Sequence, residues 1–293
     1  LIGLKGLIIF KASIITAAFW LIYQAIRKQA SIWAFLIAGL FGLFVFSSRT
    51  DVRPEIFSYL FLAYFLFAIF RAKYANETKW LYALPIVQIF WTNMHVYFIL
   101  GPTLLFFFLV DQFIHKPKKV SVALNSKSQA PNHKQNLNSK FRNWDLFRIS
   151  NLEFRIFILT SLATLLNPNF IRGALAPLTI LRDYPYSIVE NQTIFLLQNF
   201  GIQLKDIFLF EISLIILIFS FFIAIKNGRK KIIFEFLAAV LFTVMAGGMI
   251  RNFGIYAIVF LPIVTLNLNS FSMTTAKARF KLKIIIYFLF IIG

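Results

Sequence analysis

Four short stretches of this sequence gather the polar side chains that could do chemistry. Residues 47–55 read SSRTDVRPE and place Arg49, Asp51, Arg53 and Glu55 within seven positions. Residues 91–95 read WTNMH and contribute Asn93 and His95; further on come Asn167 of NPNF and Glu190, Asn191 and Gln192 of VENQT. The last stretch, GGMIRN at 247–252, isolates Arg251 between two apolar runs. Arginine presents a planar fork that suits the oxygens of a phosphate, so Arg49, Arg53 and Arg251 are candidate phosphate ligands. Asp51, Glu55 or Glu190 could take a proton from an attacking hydroxyl, with His95 as a further catalytic candidate. Asn93, Asn167, Asn191 and Gln192 carry the amides that could orient a substrate.

Each stretch also has a plainer reading. Pro54 and Glu55 suit the first turn of a helix, the one for its fixed φ and the other for the macrodipole. Arg49, Asp51 and Arg53 could pair among themselves. Asn167-Pro168 is a natural helix terminator, and Asn191-Gln192-Thr193 has the glycosylation-acceptor pattern. Arg251 is the least easily dismissed, because a charge between apolar runs calls for an anionic partner or ligand. No Cys is present, the three His lack an HExxH spacing and no Gly-rich phosphate loop occurs. No motif demands a cofactor or a metal, and a divalent cation stays open.

The elements that must position these residues are set by composition. Hydrophobic residues make up 59% of the 293, charged residues 14%, and Phe alone numbers 38; mean hydropathy is +0.77. A soluble sphere cannot hide that much apolar surface. Apolar runs recur near 5–25, 31–48, 56–70, 81–92, 96–114, 152–166, 206–225, 232–250, 253–268 and 284–293. The expectation is an all-α, polytopic integral membrane bundle with about ten hydrophobic segments. Those at 81–92 and 152–166 fall short of the roughly 17 residues a span needs and are expected to be tilted or re-entrant. Residues 1–293 read as one transmembrane domain, a fragment truncated at both ends, since the chain opens on Leu1 and stops at Gly293 inside an apolar run.

The formal charge of +19 is compatible with nucleic acid until the 30 Lys and Arg are placed. Assigned to alternate sides, the loops carry 21 against six, the other three lying in or beside spans. The positive-inside rule makes the basic set cytoplasmic and puts residue 1 and all four polar stretches outside, in a bacterial inner membrane. The segment 115–151 then reads as a flexible basic cytoplasmic loop drawn to anionic lipid rather than to nucleic acid, and 167–205 as an extracytoplasmic loop. Trp33, Trp80 and Trp91 read as interfacial aromatics near span ends. Gly3, Gly6, Gly39 and Gly42 suit close helix packing better than phosphate cradling. Glu235 is expected to pair with Lys231 at the interface, while Glu211 has no evident partner.

RPEIFSYLF, a basic turn, WTNMH, a loop opening LLNP and a late Arg between spans together resemble a group of uncharacterised bacterial membrane proteins. That group is linked to the superfamily C glycosyltransferases, relatives of dolichyl-phosphate-mannose protein mannosyltransferases. In the group, Gly and an aromatic follow the Trp-x-Asn-x-His element, and an aromatic and Gly follow the Asn-Pro; here Val96-Tyr97 and Asn169-Phe170 stand there. The resemblance implies transfer of a sugar from a polyprenyl-phosphate donor on the extracytoplasmic side. It also implies a catalytic acid in a first outer loop, which would lie ahead of Leu1. A transporter or lipid flippase is the alternative, and a non-catalytic assembly protein a third reading. Transport predicts polar residues along the helices, whereas here they collect at one face.

Overall fold

The computed structural model describes residues 3–47, 53–115, 151–179, 189–201 and 205–269, and every regular element among them is helical. Arg49, Asp51, the basic stretch 116–150 and the tenth apolar run, 284–293, lie outside the described residues. The other nine runs are all helical. In chain order the helices are α1 (Gly3–Ile26), α2 (Ile32–Phe46), α3 (Glu55–Ala75), α4 (Leu84–Met94), α5 (Leu100–Ile114) and α6 (Asn151–Ala163). They continue with α7 (Phe170–Thr179), α8 (Ile194–Asn199), α9 (Lys205–Lys226), α10 (Ile233–Gly248) and α11 (Phe253–Asn269). Tight 3₁₀ turns at Thr78–Ala83, Val96–Ile99, Val189–Asn191 and Ile250–Asn252 link them.

Local chemistry sets several boundaries. Ser31 caps α2, its hydroxyl accepting from Ala34 N–H at 3.2 Å. The α3 helix starts just after Pro54 and ends at Asn76, which takes the left-handed conformation with φ of 56°. Thr193 caps α8 by accepting from Leu196 N–H at 3.2 Å. Asn269 closes the far end of α11 on the α1–α2 turn: its amide donates to the Gln29 carbonyl at 2.7 Å and accepts from Ser31 N–H at 3.0 Å.

Among the described residues five helical segments are long and apolar enough to cross a membrane: Lys5–Ile26, Glu55–Ala75, Val96–Ile114, Lys205–Lys226 and Ile250–Asn269. The 21 residues of α3 extend roughly 30 Å, about the thickness of a hydrocarbon core. At 15 and 16 residues, α2 and α10 are shorter apolar helices, and α4 and α6 are shorter still at 11 and 13. The distribution of polarity is inverted relative to a soluble protein. On α9 the inward positions include Ser213, Ser220 and Ala224, while Ile215, Ile218, Phe219, Phe222 and Ile225 face outward. That is the pattern of helices solvated by hydrocarbon and packed through small residues.

The centre of the bundle is the α3–α11 pair. Buried residues make up 89% of α11's apolar stretch and 78% of α3's, against 22% for α1. Around them α1 runs parallel to α3, with Phe10 against Phe57 at one end and Lys28 bonded to Glu77 at the other. Parallel to α11 lies α9, joined by the Phe210–Phe253 stack and by Asn267 donating to Ser220 at 3.0 Å. The expectation of close packing at the glycines is not met at Gly42 or Gly3: a Cβ on Gly42 of α2 would make ordinary van der Waals contact with α11, 3.7 Å from the Ala257 carbonyl, and one on Gly3 would meet nothing within 4 Å. Trp91 departs from the interfacial expectation: it is wholly buried, and its indole donates to Ser58 at 2.9 Å. An indole N–H inside an apolar bundle needs an acceptor, and the α3 hydroxyl supplies it.

Because α3 is straight-through, its two ends define the two ends of the molecule. Glu55 and Lys73 are 18 residues apart, about 27 Å along the axis, and no charged residue occurs on α3 between Ile56 and Phe70.

Candidate functional site

At the Arg53 end, four chain segments bring the polar stretches together. Arg53 immediately precedes α3 and forms a two-pronged ion pair with Glu190, Nη2 donating to Oε1 at 2.9 Å and Nη1 to Oε2. The next residue along Val189–Asn191 is Asn191, whose Oδ1 accepts from Arg251 Nη1 at 3.3 Å. The Arg251 Nη2 points back to α3 and lies 4.0 Å from Glu55 Oε2, an ion pair without a hydrogen bond. Its Nε is buried and has no acceptor. Glu55 is 3% exposed, and its Oε1 accepts from the hydroxyl of Tyr59 at 2.9 Å. The fixed spacing of four residues on α3 puts Tyr59 beneath Glu55.

His95 ends α4 in an extended conformation, where the chain turns into Val96–Ile99. Burial lowers its pKa to about 4; Glu55 opposes that shift and Arg251 adds to it, so both charges are near the ring. The imidazole is therefore neutral at neutral pH. Its Nδ1 accepts from Tyr97 N–H at 3.4 Å, which assigns the remaining proton to Nε2 and makes that edge a donor. The Tyr97 ring meets the His95 ring edge-on at 4.6 Å, and its hydroxyl donates to Asn252 Oδ1 at 2.5 Å. Asn252 in turn donates to the Met245 carbonyl at 2.7 Å, tying the turn after α10 to its last helical residues.

Of the residues singled out from sequence, the structure thus brings together Arg53, Glu55, His95, Glu190, Asn191 and Arg251. Gln192 is adjacent in chain, its backbone N–H donating to the Val189 carbonyl at 3.1 Å. Asn93 and Asn167 serve the backbone instead. Asn93 Nδ2 donates to the carbonyls of Ile89 and Leu166, both at 2.8 Å, and so joins the end of α4 to the end of α6. Asn167 Nδ2 donates to Thr164 and Phe170 carbonyls, and its Oδ1 accepts from Asn169 N–H at 2.8 Å. Three groups in the cluster were not anticipated as site members: Tyr59, Tyr97 and Asn252. Their proximity in sequence to Glu55, His95 and Arg251 was the available signal.

The Lys73 end carries a second polar cluster of a different character. Lys73 Nζ lies 2.7 Å from Glu235 Oε2 and 3.1 Å from Asp111 Oδ2, with all three side chains at most 3% exposed. Arg229 Nη2 completes the set at 3.2 Å from Glu235 Oε1, and the Tyr74 hydroxyl donates to the same oxygen. The expected Glu235–Lys231 pairing is therefore wrong: Glu235 turns into the bundle, because burying it with Lys73 and Arg229 satisfies both carboxylate oxygens. Two cations meet two carboxylates, and Asp111 Oδ1 also accepts from Phe234 N–H at 3.2 Å. Glu211, on α9, accepts from Gln198 at 2.7 Å.

The two ends differ in what they leave undone. In the cluster around Lys73 the opposed charges are matched in number and in direct contact. At the Arg53 end Arg251 has an unanswered N–H and stands off its carboxylate, while a neutral imidazole presents a donor nearby. Among the described residues no group of three or more His, Cys, Asp or Glu could hold a metal ion. No family model, curated protein or solved structure matches the chain.

Proposed function

We propose that the chain is an integral membrane transferase that binds a polyprenyl-phosphate sugar at the Arg53 end, on the extracytoplasmic face of a bacterial inner membrane. One observation carries the reading: Arg251, Glu55 and His95 converge at the head of an apolar bundle, with the Arg251 fork only half engaged. The donor class comes from the resemblance of RPEIFSYLF, WTNMH and the late Arg to the superfamily C group. The outward placement comes from the 21-to-six division of basic residues.

In this reading Arg251 takes the donor phosphate, and Arg53 joins it on releasing Glu190. The acceptor hydroxyl attacks the anomeric carbon as the bond from that carbon to the phosphate oxygen breaks. The hydroxyl proton passes to Glu55, and the phosphate leaves on its lipid. His95 Nε2–H donates to a sugar or phosphate oxygen. A through-path for transport is less well supported, since charged residues are missing along the middle of α3 and the cluster around Lys73 is internally neutralised.

The test is donor binding and turnover in proteoliposomes with a labelled polyprenyl-phosphate sugar. Arg251→Ala is expected to weaken donor binding by roughly ten- to a hundredfold, the loss of one charge-assisted pair. Glu55→Gln is expected to lower turnover with binding retained. Unchanged binding in Arg251→Ala, with the protein inserted and folded, rejects the proposal.

A further inference from the structure

Beside the neutralised cluster, the Lys73 end holds a second group of charges that do not balance. Glu77, just past α3, is approached by three donors from three places in the chain. Lys28 Nζ lies at 3.1 Å, Arg71 Nη2 at 3.0 Å and the Trp80 indole at 3.3 Å. Lys79 extends over the Trp80 ring, its Nζ 5.2 Å from the centre. Two cations, Lys28 and Arg71, therefore engage one carboxylate, and a third, Lys79, lies over the ring of its indole donor. Lys28, hydrogen-bonded to it, is the main reason the Glu77 carboxyl titrates below its usual range, as a bound anion would in such a cage.

Arg71 is the anomaly. It is 8% exposed, yet its Nε and Nη1 have no acceptor. Buried N–H groups of a guanidinium are costly to leave unmade, and a carboxylate engaging only Nη2 cannot answer them. A phosphate has more oxygens to offer and matches the guanidinium fork. The position also suits a headgroup. Arg71 lies just before the last turn of a spanning helix, Trp80 packs edge-on against Phe67 at 5.1 Å, and Tyr82 on the same 3₁₀ turn is 61% exposed. Aromatic side chains so placed mark the boundary between hydrocarbon and headgroups.

We infer that this corner binds the phosphate of an anionic phospholipid, which displaces the Glu77 carboxylate and takes Lys28 and the open edge of Arg71, with Lys79 closing from the side. Glu77 is then a resident stand-in for the lipid phosphate. The inference needs membrane insertion and nothing from the transferase reading.

The test uses the purified full chain in neutral detergent, titrated with phosphatidylglycerol, phosphatidylcholine or inorganic phosphate. Bound lipid is followed by native mass spectrometry and the thermal midpoint is measured alongside. Phosphatidylglycerol is expected to bind and raise the midpoint, and the other two to do neither. Lys28→Gln and Lys79→Gln, both at exposed positions, should each weaken phosphatidylglycerol binding by roughly fivefold. Glu77→Gln should tighten it, because the competing anion is gone. Equal binding of the two lipids, an equal effect of inorganic phosphate, or weaker binding in Glu77→Gln would each overturn the site as drawn.

Discussion

At the scale of single residues, His95 makes the sharpest prediction. Its pKa is about 4 in the folded protein against an ordinary 6.5, so the unfolded chain binds more protons between those values. Stability attached to this group is complete above about pH 6.5 and declines as pH falls towards 4. The thermal midpoint of the wild type should drop across that window, and His95→Gln should drop less. Parallel curves would show that burial of the imidazole is not felt. Above the window the Nε2–H tautomer leaves His95 a donor, which in the proposed function meets bound substrate. Loss of that contact in His95→Gln should therefore raise KM or lower kcat without altering the profile of a non-reacting ligand.

Among the elements, the α3–α11 crossing holds the site together. A Cβ added at Gly254 would sit 2.6 Å from the Tyr59 hydroxyl and 2.8 Å from the ring carbon that bears it. Tyr59 also supports Glu55, so the smallest substitution at this crossing reaches the carboxylate. Gly254→Ala should destabilise by about 1–3 kcal/mol, the usual range for overpacking, and should also lower turnover by shifting Glu55. Gly39→Ala, where a Cβ would meet only Leu261 at 3.9 Å, is the matched control and should do neither. The turn after α6 is built in the same way: Gly173 leaves room for the Asn167 amide, which organises the turn around Phe170 with its φ of 47°. Asn167→Ala should accordingly loosen the 164–173 connection, to be read as faster local hydrogen exchange there.

For the molecule as a whole, the Lys73 end acts as a clamp. Lys73, Asp111 and Glu235 come from α3, α5 and α10, and Arg229 bridges to Asn267 of α11. Removing one partner of a buried pair strands the others, so Lys73→Met should cost about 3–5 kcal/mol, read from the thermal midpoint. Combining it with Asp111→Asn should recover part of that loss, because a stranded charge is removed. The chain contains no Cys, which makes sidedness directly measurable. Asn199→Cys and Asn227→Cys, both exposed and at opposite ends, should react with an impermeant thiol reagent from opposite sides of the membrane. Labelling of Asn227→Cys from the outside would reverse the orientation proposed for the site.

Much of this architecture is legible in the chain alone, because apolar length is a local property. Nine of the ten apolar runs lie where helices form, and the two runs too short to span became the 11- and 13-residue helices α4 and α6. The terminating role of Asn167-Pro168 was equally local and equally readable. Pairing was not. Glu235 looked to Lys231, four residues away, but found Lys73, which is 162 positions distant. Trp91 looked interfacial and is buried against Ser58. The sequence determined which residues are polar and at which end of which helix they fall. Only tertiary packing decided which of them meet, and whether their charges cancel, as at Lys73, or are left half engaged, as at Arg251. Burial raises the cost of an unmatched charge, and it is set by neighbours that no local window contains.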